Sequence, residues 1–309
     1  MTRLWVIVLH WNKYEDTRDC VRLLLQNRIE NAQTQLLVID NGSSQQACNQ
    51  LRQDFRDKIE LLRTERNLGY AGGNNLGIQH ALAQGADLIL LLNNDTTMSA
   101  DFLSNFVNAA ERHPEADIFG CKIFYQQRPD RLWFAGGSIN AWLGNTSHFG
   151  FNQPDNPKFQ KEREVSFITG CAMLIRAAVF SKIGLLDESL FLYYEDVDFC
   201  QRAQRAGVKL LFTPQAALQH KVGAGVGQNL TPAYLYYQTR NRYRVLQRGR
   251  SFAFRGWLLM LHLTVYCGFR MLYVASCGGS DRWRQMQAIW QGCRDSFATG
   301  ANRHPAVVR

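Results

Sequence analysis

Four short runs in the first third of the chain limit what it can fold into. Residues 4–9 (LWVIVL), 36–39 (LLVI) and 88–92 (LILLL) are apolar without alternation, and 59–62 (IELL) is broken by a single glutamate. Strands buried on both faces read this way, and such strands belong to parallel sheets covered by helices. Helical patterns over 16–26, 45–55 and 74–83 separate the runs. The resulting β-α-β-α-β-α-β order predicts an α/β fold with an open, mostly parallel, Rossmann-like sheet. From about residue 117 the rhythm changes. Strand-like pieces at 118–125, 165–168, 172–175, 210–212 and 216–220 mix with glycine, proline and tryptophan. Helices are expected over 199–206 and 234–248.

A buried parallel sheet binds ligands beyond the carboxyl ends of its strands. Each of the four runs leads into a polar cluster there. His10, Trp11 and Asn12 follow the first; Asp40, Asn41, Gly42 and Ser43 follow the second. Residues 67–75 (NLGYAGGNN) come after the third, and Asn93, Asn94 and Asp95 after the fourth. Any one of these is an ordinary turn or helix cap. Four at one sheet edge suggest a shared site. Gly72, Gly73, Asn74 and Asn75 are expected to precede a helix, where free N–H groups favour an anion such as a diphosphate. The dinucleotide spacing G-x-G-x-x-G is missing after the first strand, and no Gly-Lys-Ser/Thr follows the glycines, which excludes both nucleotide fingerprints. Asp95 is placed to hold Mg²⁺ or Mn²⁺ against phosphate oxygens. Its alternative is a cap for the segment near Ser99.

The eight cysteines are scattered, without C-x-x-C or zinc spacing, and read as buried thiols in a reducing compartment. Residues 1–9 read as a strand rather than a secretory leader. Charge is uneven. Residues 240–309 hold twelve arginines, no lysine and two aspartates, so all of the net +9 lies in the last quarter. Such a tail suits nucleic acid, an anionic membrane face or a phosphorylated ligand. Within it, residues 256–269 are apolar except for His262, and fourteen residues fall short of the ~20 a bilayer needs.

The motifs VIVLHWN, LLVIDNGS, RNLGYAGGNN, LLNND, ITGCAMLIR, LFLYYEDVDFCQR and LQH, in this order over roughly residues 3–248, resemble family 2 glycosyltransferases with the GT-A fold. Within that family the resemblance is to rhamnosyltransferase-like enzymes of cell-surface polysaccharide synthesis. It implies an inverting transfer of a sugar, rhamnose for that branch, from a UDP or dTDP donor to a saccharide or lipid-linked saccharide. Leu9, His10 and Asn12 would line the nucleoside pocket and Asp40 would bind the pyrimidine base. Asn67, Gly72, Gly73 and Asn74 would lie near the nucleotide and donor sugar. Asn93, Asn94 and Asp95 stand where the family has D-x-D, with Asn93 replacing the first aspartate and Asp95 kept as metal ligand. His220 would join Asp95 on a divalent Mn²⁺ or Mg²⁺. Asp196 would be the base that deprotonates the acceptor hydroxyl. Glu195, Gly170 and Cys171 would face the acceptor, and Arg240 and Asn241 the phosphates or acceptor. Apart from the resemblance, Trp133 offers a ring for the acceptor's sugar face, with core packing as its alternative. Asp198 with Arg202 reads as a structural i,i+4 pair.

These expectations divide the chain into a nucleotide-sugar half (1–115), an acceptor and catalytic half (116–248) and a basic, partly apolar helical tail (249–309). The tail would touch an anionic membrane from the cytoplasmic side or form a homodimer. Two other readings are a nucleotidyltransferase that makes the sugar nucleotide and a non-catalytic nucleotide-sugar or nucleic-acid binder. The first would carry a glycine-rich basic loop after strand one, where this chain has HWNK. The second lacks any nucleic-acid motif, so no nucleic acid is expected.

Overall fold

The computed structural model describes residues 1–27, 29–140, 142–221, 230–277 and 279–297. The chain divides into two compact units. The first comprises Met1–Ile139, Thr146–Glu188 and Glu195–Val222; the second comprises Asn140–Asn145, Ser189–Tyr194 and Gly223–Arg309.

In chain order the first unit has β1 (Thr2–His10), α1 (Tyr14–Gln26), β2 (Ala32–Asp40), α2 (Gln45–Phe55), β3 (Glu60–Arg63), α3 (Gly69–Ala83) and β4 (Leu88–Asn93). It continues with β5 (Thr96–Met98), α4 (Phe102–Arg112), β6 (Ile118–Tyr125), β7 (Arg128–Phe134), β8 (Gly137–Ile139) and β9 (Thr146–His148). It closes with β10 (Arg163–Val165), β11 (Ala172–Arg176), α5 (Ala178–Ile183), α6 (Glu195–Arg205) and β12 (Leu210–His220).

The main sheet runs β10-β12-β6-β11-β4-β1-β2-β3, with β5 beside β12 and β7 beside β6. The parallel order foreseen in the sequence holds over β4-β1-β2-β3. Beyond it the sheet is mixed: β11 lies antiparallel between β4 and β6, and β12 is parallel to β6. Leu4, Val6, Ile7, Leu37, Val38, Leu90 and Leu91 are buried, as continuous apolar runs under helices require.

Register brings the strand ends together. His10 pairs with Asp40, and Leu9 with Asn93. Because β11 runs against β4, its first residue, Ala172, pairs with Leu92. Gly170 and Cys171 therefore arrive at the same edge from the opposite direction.

Three elements differ from the sequence expectation. α3 begins at Gly69 rather than Asn74, so Gly72 and Gly73 lie inside the helix rather than before it. Gly73 is buried because a Cβ there would stand 2.4 Å from Leu9 Cδ1; the glycines let the helix press on β1. The pieces at 210–212 and 216–220 are one strand, β12, whose register shifts between Thr213 and Ala217. Pro214 lies in that interruption, where its missing N–H is tolerated. α6 begins at Glu195, so the acidic motif forms its first turn, where carboxylates suit the helix dipole.

The second unit holds α7 (Pro232–Leu246), α8 (Phe252–Leu261), a π turn (His262–Cys267), α9 (Gly268–Cys277) and α10 (Arg282–Asp295). The stretch judged too short for a bilayer belongs to one 26-residue helix, Phe252–Cys277, long and apolar enough to cross a membrane by length and composition. Arg255 and Arg270 made it look shorter. Arg270 stacks on the rings of Tyr234 and Tyr266, so it does not interrupt the helix. Leu258, His262, Cys267 and Val274 are buried, whereas Trp257, Met260, Val265, Phe269 and Leu272 are exposed. All eight cysteines are free, and only Cys277 is exposed.

Candidate active site

The loop after β2 turns sharply onto the segment after β3. Gly42 has φ +75°, and a Cβ on it would lie 2.4 Å from the Arg66 carbonyl carbon. This contact lets Asn41 tie the two loops. Its Nδ2 donates to Asn67 Oδ1 and Gly69 O, both at 3.0 Å, and its Oδ1 accepts from Leu68 N at 2.9 Å. Asn67 Oδ1 also accepts from Gly69 N. Asp40 is fully buried. Its Oδ1 accepts from Ser43 N, and its Oδ2 lies 3.3 Å from Arg63 Nε without a hydrogen-bond donor. Beside it His10 is buried, with Nδ1 2.8 Å from Thr17 Oγ1 and Nε2 unpartnered. Burial holds the His10 pKa below its ordinary value, against a smaller upward pull from Asp40. Asn12, at φ 56°, donates its N–H to Ser43 Oγ and accepts from Ser44 N. Asn94 Nδ2 reaches Thr17 Oγ1 at 2.7 Å.

At the end of β4, Asp95 Oδ1 lies 3.0 Å from His220 Nε2, and Asn93 Nδ2 lies 3.4 Å from the same nitrogen. β12 delivers His220 here because its last residue pairs with Thr96 of β5. Burial works against a charged His220 ring. Cys171 and Asp95 outweigh it, and the His220 pKa rises to about 10. Trp133, half-buried on β7, packs edge-on to His220 with ring centroids 5.1 Å apart. A carboxylate oxygen and an imidazole nitrogen 3.0 Å apart are a donor pair that would hold Mn²⁺ or Mg²⁺. The donor set fits such an ion.

Asp196 reaches the same edge from the first turn of α6. Its Oδ2 accepts from Gly170 N at 3.0 Å and its Oδ1 from Val197 N at 2.8 Å. The next residue, Cys171, accepts at its carbonyl from Asn93 N at 2.9 Å, and its thiol adjoins His220. Asp196 and the Asp95–His220 pair are thus linked through two consecutive residues at the start of β11. Burial pushes the Asp196 carboxyl above its ordinary value. Glu195, buried beside it with Oε2 unpartnered, is pushed well above by burial and then by Asp196. Asp198 instead pairs with Arg202 at 2.7 Å, and Arg202 Nη2 also holds Leu185 O. That pair is structural, as its spacing implied.

The structure places two groups of candidates away from open donors. Asn74 Nδ2 is spent on Tyr70 O, while Gly72 and Gly73 are packed within α3. In the second unit, Arg240 Nη2 donates to Ser189 O and Leu190 O. Asn241 Nδ2 faces the carbonyls of Leu190, Leu192 and Tyr193 at 2.8–2.9 Å. Arg240 and Asn241 brace the segment that leads into Glu195.

Sequence reasoning overlooked Tyr70, Thr17 and Glu188. The Tyr70 hydroxyl donates to Gly170 O, tying α3 to the residue whose N–H holds Asp196. Thr17 sits between His10 and Asn94. Glu188 Oε1 accepts from Asn75 Nδ2. Only tertiary contact reveals their roles: Thr17 lies inside an ordinary helical pattern, Tyr70 within the glycine-rich cluster and Glu188 in a loop.

A mixed sheet carrying these loops at one edge defines the class as a GT-A-type α/β fold. Solved structures agree. A crystal structure of GalNAc-T7 with UDP, GalNAc and Mn²⁺ superposes with a TM-score of 0.61, covering 80% of this chain and 48% of that one at 14% identity. Staphylococcus aureus TarS 1–349 gives 0.57, covering 96% and 81% at 14% identity. The chain belongs to glycosyl transferase family 2, whose description matches residues 5–184.

Among curated relatives, low-salt glycan biosynthesis hexosyltransferase Agl10 of Haloferax volcanii is 26% identical over 67% of this chain and 63% of its own length. N-acetylglucosaminyl-diphospho-decaprenol L-rhamnosyltransferase of Mycobacterium tuberculosis is 26% identical over 63% and 68%. dTDP-rhamnosyl transferase RfbF of Shigella flexneri is 24% identical over 69% and 71%. The chain thus spans under two thirds of Agl10, and only 23% of the uncharacterized protein y4gI of Sinorhizobium fredii.

Proposed function

We propose that this protein is an inverting glycosyltransferase that moves a hexosyl unit, rhamnose in the branch it resembles, from a UDP or dTDP donor to a saccharide or lipid-linked saccharide hydroxyl in cell-surface polysaccharide synthesis. The observation that carries this reading is the linkage of Asp196 and Asp95–His220 through Gly170 and Cys171. One carboxylate at the acceptor and a cation-binding pair at the leaving group meet the two charge demands of glycosyl transfer.

Asp40 Oδ2, buried without a hydrogen-bond donor, suits the N3–H of a pyrimidine. Leu9, His10 and Asn12 flank it, with Asn67 on the neighbouring loop. Asn93 and Asn94 offer amides to ribose or phosphate. Asp95 and His220 would hold the divalent cation, whose positive charge would favour departure of the diphosphate. Asp196 takes the acceptor proton. The two backbone N–H groups on its carboxylate fix its direction, and its raised pKa makes it a stronger base than an exposed aspartate. Glu195, held well above the ordinary carboxylate range, is suited to donate to an acceptor oxygen. Trp133, packed on His220, offers a ring for a sugar face.

The exposed apolar side of Phe252–Cys277, with arginines nearby in sequence, supports attachment to an anionic membrane surface from the cytoplasmic side. One face of this helix is buried in its own unit, so it suits lying in the interface better than spanning alone. Flotation with vesicles containing phosphatidylglycerol should carry the full chain upward. A stable dimer in solution that ignores vesicles would assign that side to a second copy.

The donor is tested by thermal shift with UDP-, dTDP- and GDP-sugars, with and without Mn²⁺. Stabilisation by a pyrimidine sugar nucleotide, larger with Mn²⁺, is expected. Equal stabilisation by the GDP-sugar, or none by any, contradicts the assignment.

A further inference from the structure

The second unit contains a cluster that the transfer reaction does not use. One ring nitrogen of His262 and the Sγ atoms of Cys267 and Cys293 all lie within 4.8 Å of one another, and all three residues are buried. His262 is fully buried, while Cys267 and Cys293 are 6% and 7% exposed. We propose that His262, Cys267 and Cys293 form a binding site for a thiophilic divalent cation of the Zn²⁺ type, separate from the Asp95–His220 pair.

Local geometry supports the assignment. In a regular α-helix, residues five apart point roughly 140° away from each other, so His262 and Cys267 would diverge. The helix instead makes a π turn over His262–Cys267. Its i→i+5 ladder widens the turn by one residue and brings both side chains to the face packed against α10. α10 contributes Cys293. Its position is set by Gly292, where a Cβ would meet Tyr236 O at 2.6 Å, so α10 sits close on α7. No sequence spacing announces this site, because one ligand pair depends on an irregular turn and the third ligand is 26 residues away.

Hydrogen bonding gives a second, independent indication. Arg242 Nη1 lies 3.1 Å from His262 Nδ1. Arginine only donates, so Nδ1 accepts, and Nε2 is left buried with no partner. In that tautomer Nε2 carries a proton with no acceptor, which is costly in a core, and a cation at Nε2 would take the place of that proton. Arg242 is 4% exposed and stacks on Tyr266. Two thiolates would balance the charge of a divalent cation beside it, and the bound cation keeps them deprotonated at neutral pH.

Binding releases the two thiol protons to solvent. The ring proton moves from Nε2 to Nδ1, so Arg242 gives up its bond to Nδ1 and keeps that of Nη2 to Leu143 O. The cation then has one imidazole nitrogen, two thiolates and an open fourth position. Soft sulfur donors select Zn²⁺ over the Mn²⁺ or Mg²⁺ suited to Asp95 and His220.

The test uses the reduced, chelator-stripped full chain. Co²⁺ should produce a thiolate-to-cobalt charge-transfer band with tetrahedral ligand-field bands at one equivalent. The band should persist in Asp95→Ala and disappear in Cys267→Ser and Cys293→Ser. Should either serine variant fail to fold, the wild type still decides. Zn²⁺, but not Mg²⁺, should slow alkylation of Cys267 and Cys293, mapped by peptide mass. Absence of both the band and the protection in the wild type overturns the proposal. So does a Cys267–Cys293 disulfide in zinc-free protein that gives no cobalt band after reduction.

Discussion

Replacing Asn241 by alanine tests how the acidic motif is held. The segment Ser189–Tyr194 contains three non-glycine residues in the left-handed region: Phe191 at φ 65°, Tyr193 at 64° and, at its end, Tyr194 at 72°. Each stores roughly 1–3 kcal/mol and persists only where neighbours over-determine it. Asn241 and Arg240 both hold the segment's carbonyls. Asn241 Nδ2 has two protons for the carbonyls of Leu190, Leu192 and Tyr193, so one proton is shared, and its Oδ1 accepts from Arg240 Nε at 2.8 Å. Alanine removes about two net hydrogen bonds, at ~1 kcal/mol each, and leaves a buried Arg240 donor unsatisfied, at ~1–3 kcal/mol. Relaxation of the strained residues returns part of this. A loss of about 3 kcal/mol in urea unfolding is therefore expected. Because the segment runs directly into Glu195 and Asp196, kcat should fall while the donor KM changes little. Asn241→Asp discriminates the cause. A carboxylate still accepts from Arg240 but cannot donate to the carbonyls, so it should be at least as damaging as alanine. Wild-type stability and kcat in Asn241→Asp would refute the reasoning.

Two further outcomes are expected. Gly73→Val would drive a branched side chain into Leu9 and Asn41, so nucleotide-dependent thermal stabilisation should shrink along with overall stability, by roughly 1–3 kcal/mol; unaltered melting with and without nucleotide would count against close packing of α3 on β1. In metal-free protein, the raised His220 pKa contributes stability that is complete below the ordinary histidine value of 6.5 and is lost as pH climbs toward about 10. Unfolding free energy should fall across that window, and less steeply in Asp95→Ala, which lacks the partner; equal slopes would exclude the pair.

Much of the sheet was legible because burial on both faces writes itself as unbroken apolar runs. The edge followed from strand direction alone, which is why His10, Asp40 and Asn93 meet as expected. The start of α3 was misjudged because glycines usually mark a loop. Here they serve close packing on β1, and that depends on a side chain, Leu9, sixty-four residues earlier. The span of Phe252–Cys277 was cut short at Arg270, whose charge is accommodated by Tyr266 one turn earlier and by Tyr234, which lies outside any local window. Arg240 and Asn241 were expected near the phosphates or acceptor because the family resemblance puts an Arg-Asn pair there. Their donors serve main-chain carbonyls of a strained turn that sequence does not reveal.

The most direct test of the central claim is transfer by Asp196→Asn beside calorimetric binding of the Mn²⁺–donor nucleotide. Asparagine fills the same volume and leaves Asp95, His220 and Asp40 in place, so nucleotide binding should stay close to wild type and serves as the folding control. Turnover should drop by about 10²–10⁴, the usual contribution of a general base. Undiminished turnover with intact binding would contradict the assignment of Asp196 and, with it, the two-sided site built on Gly170 and Cys171.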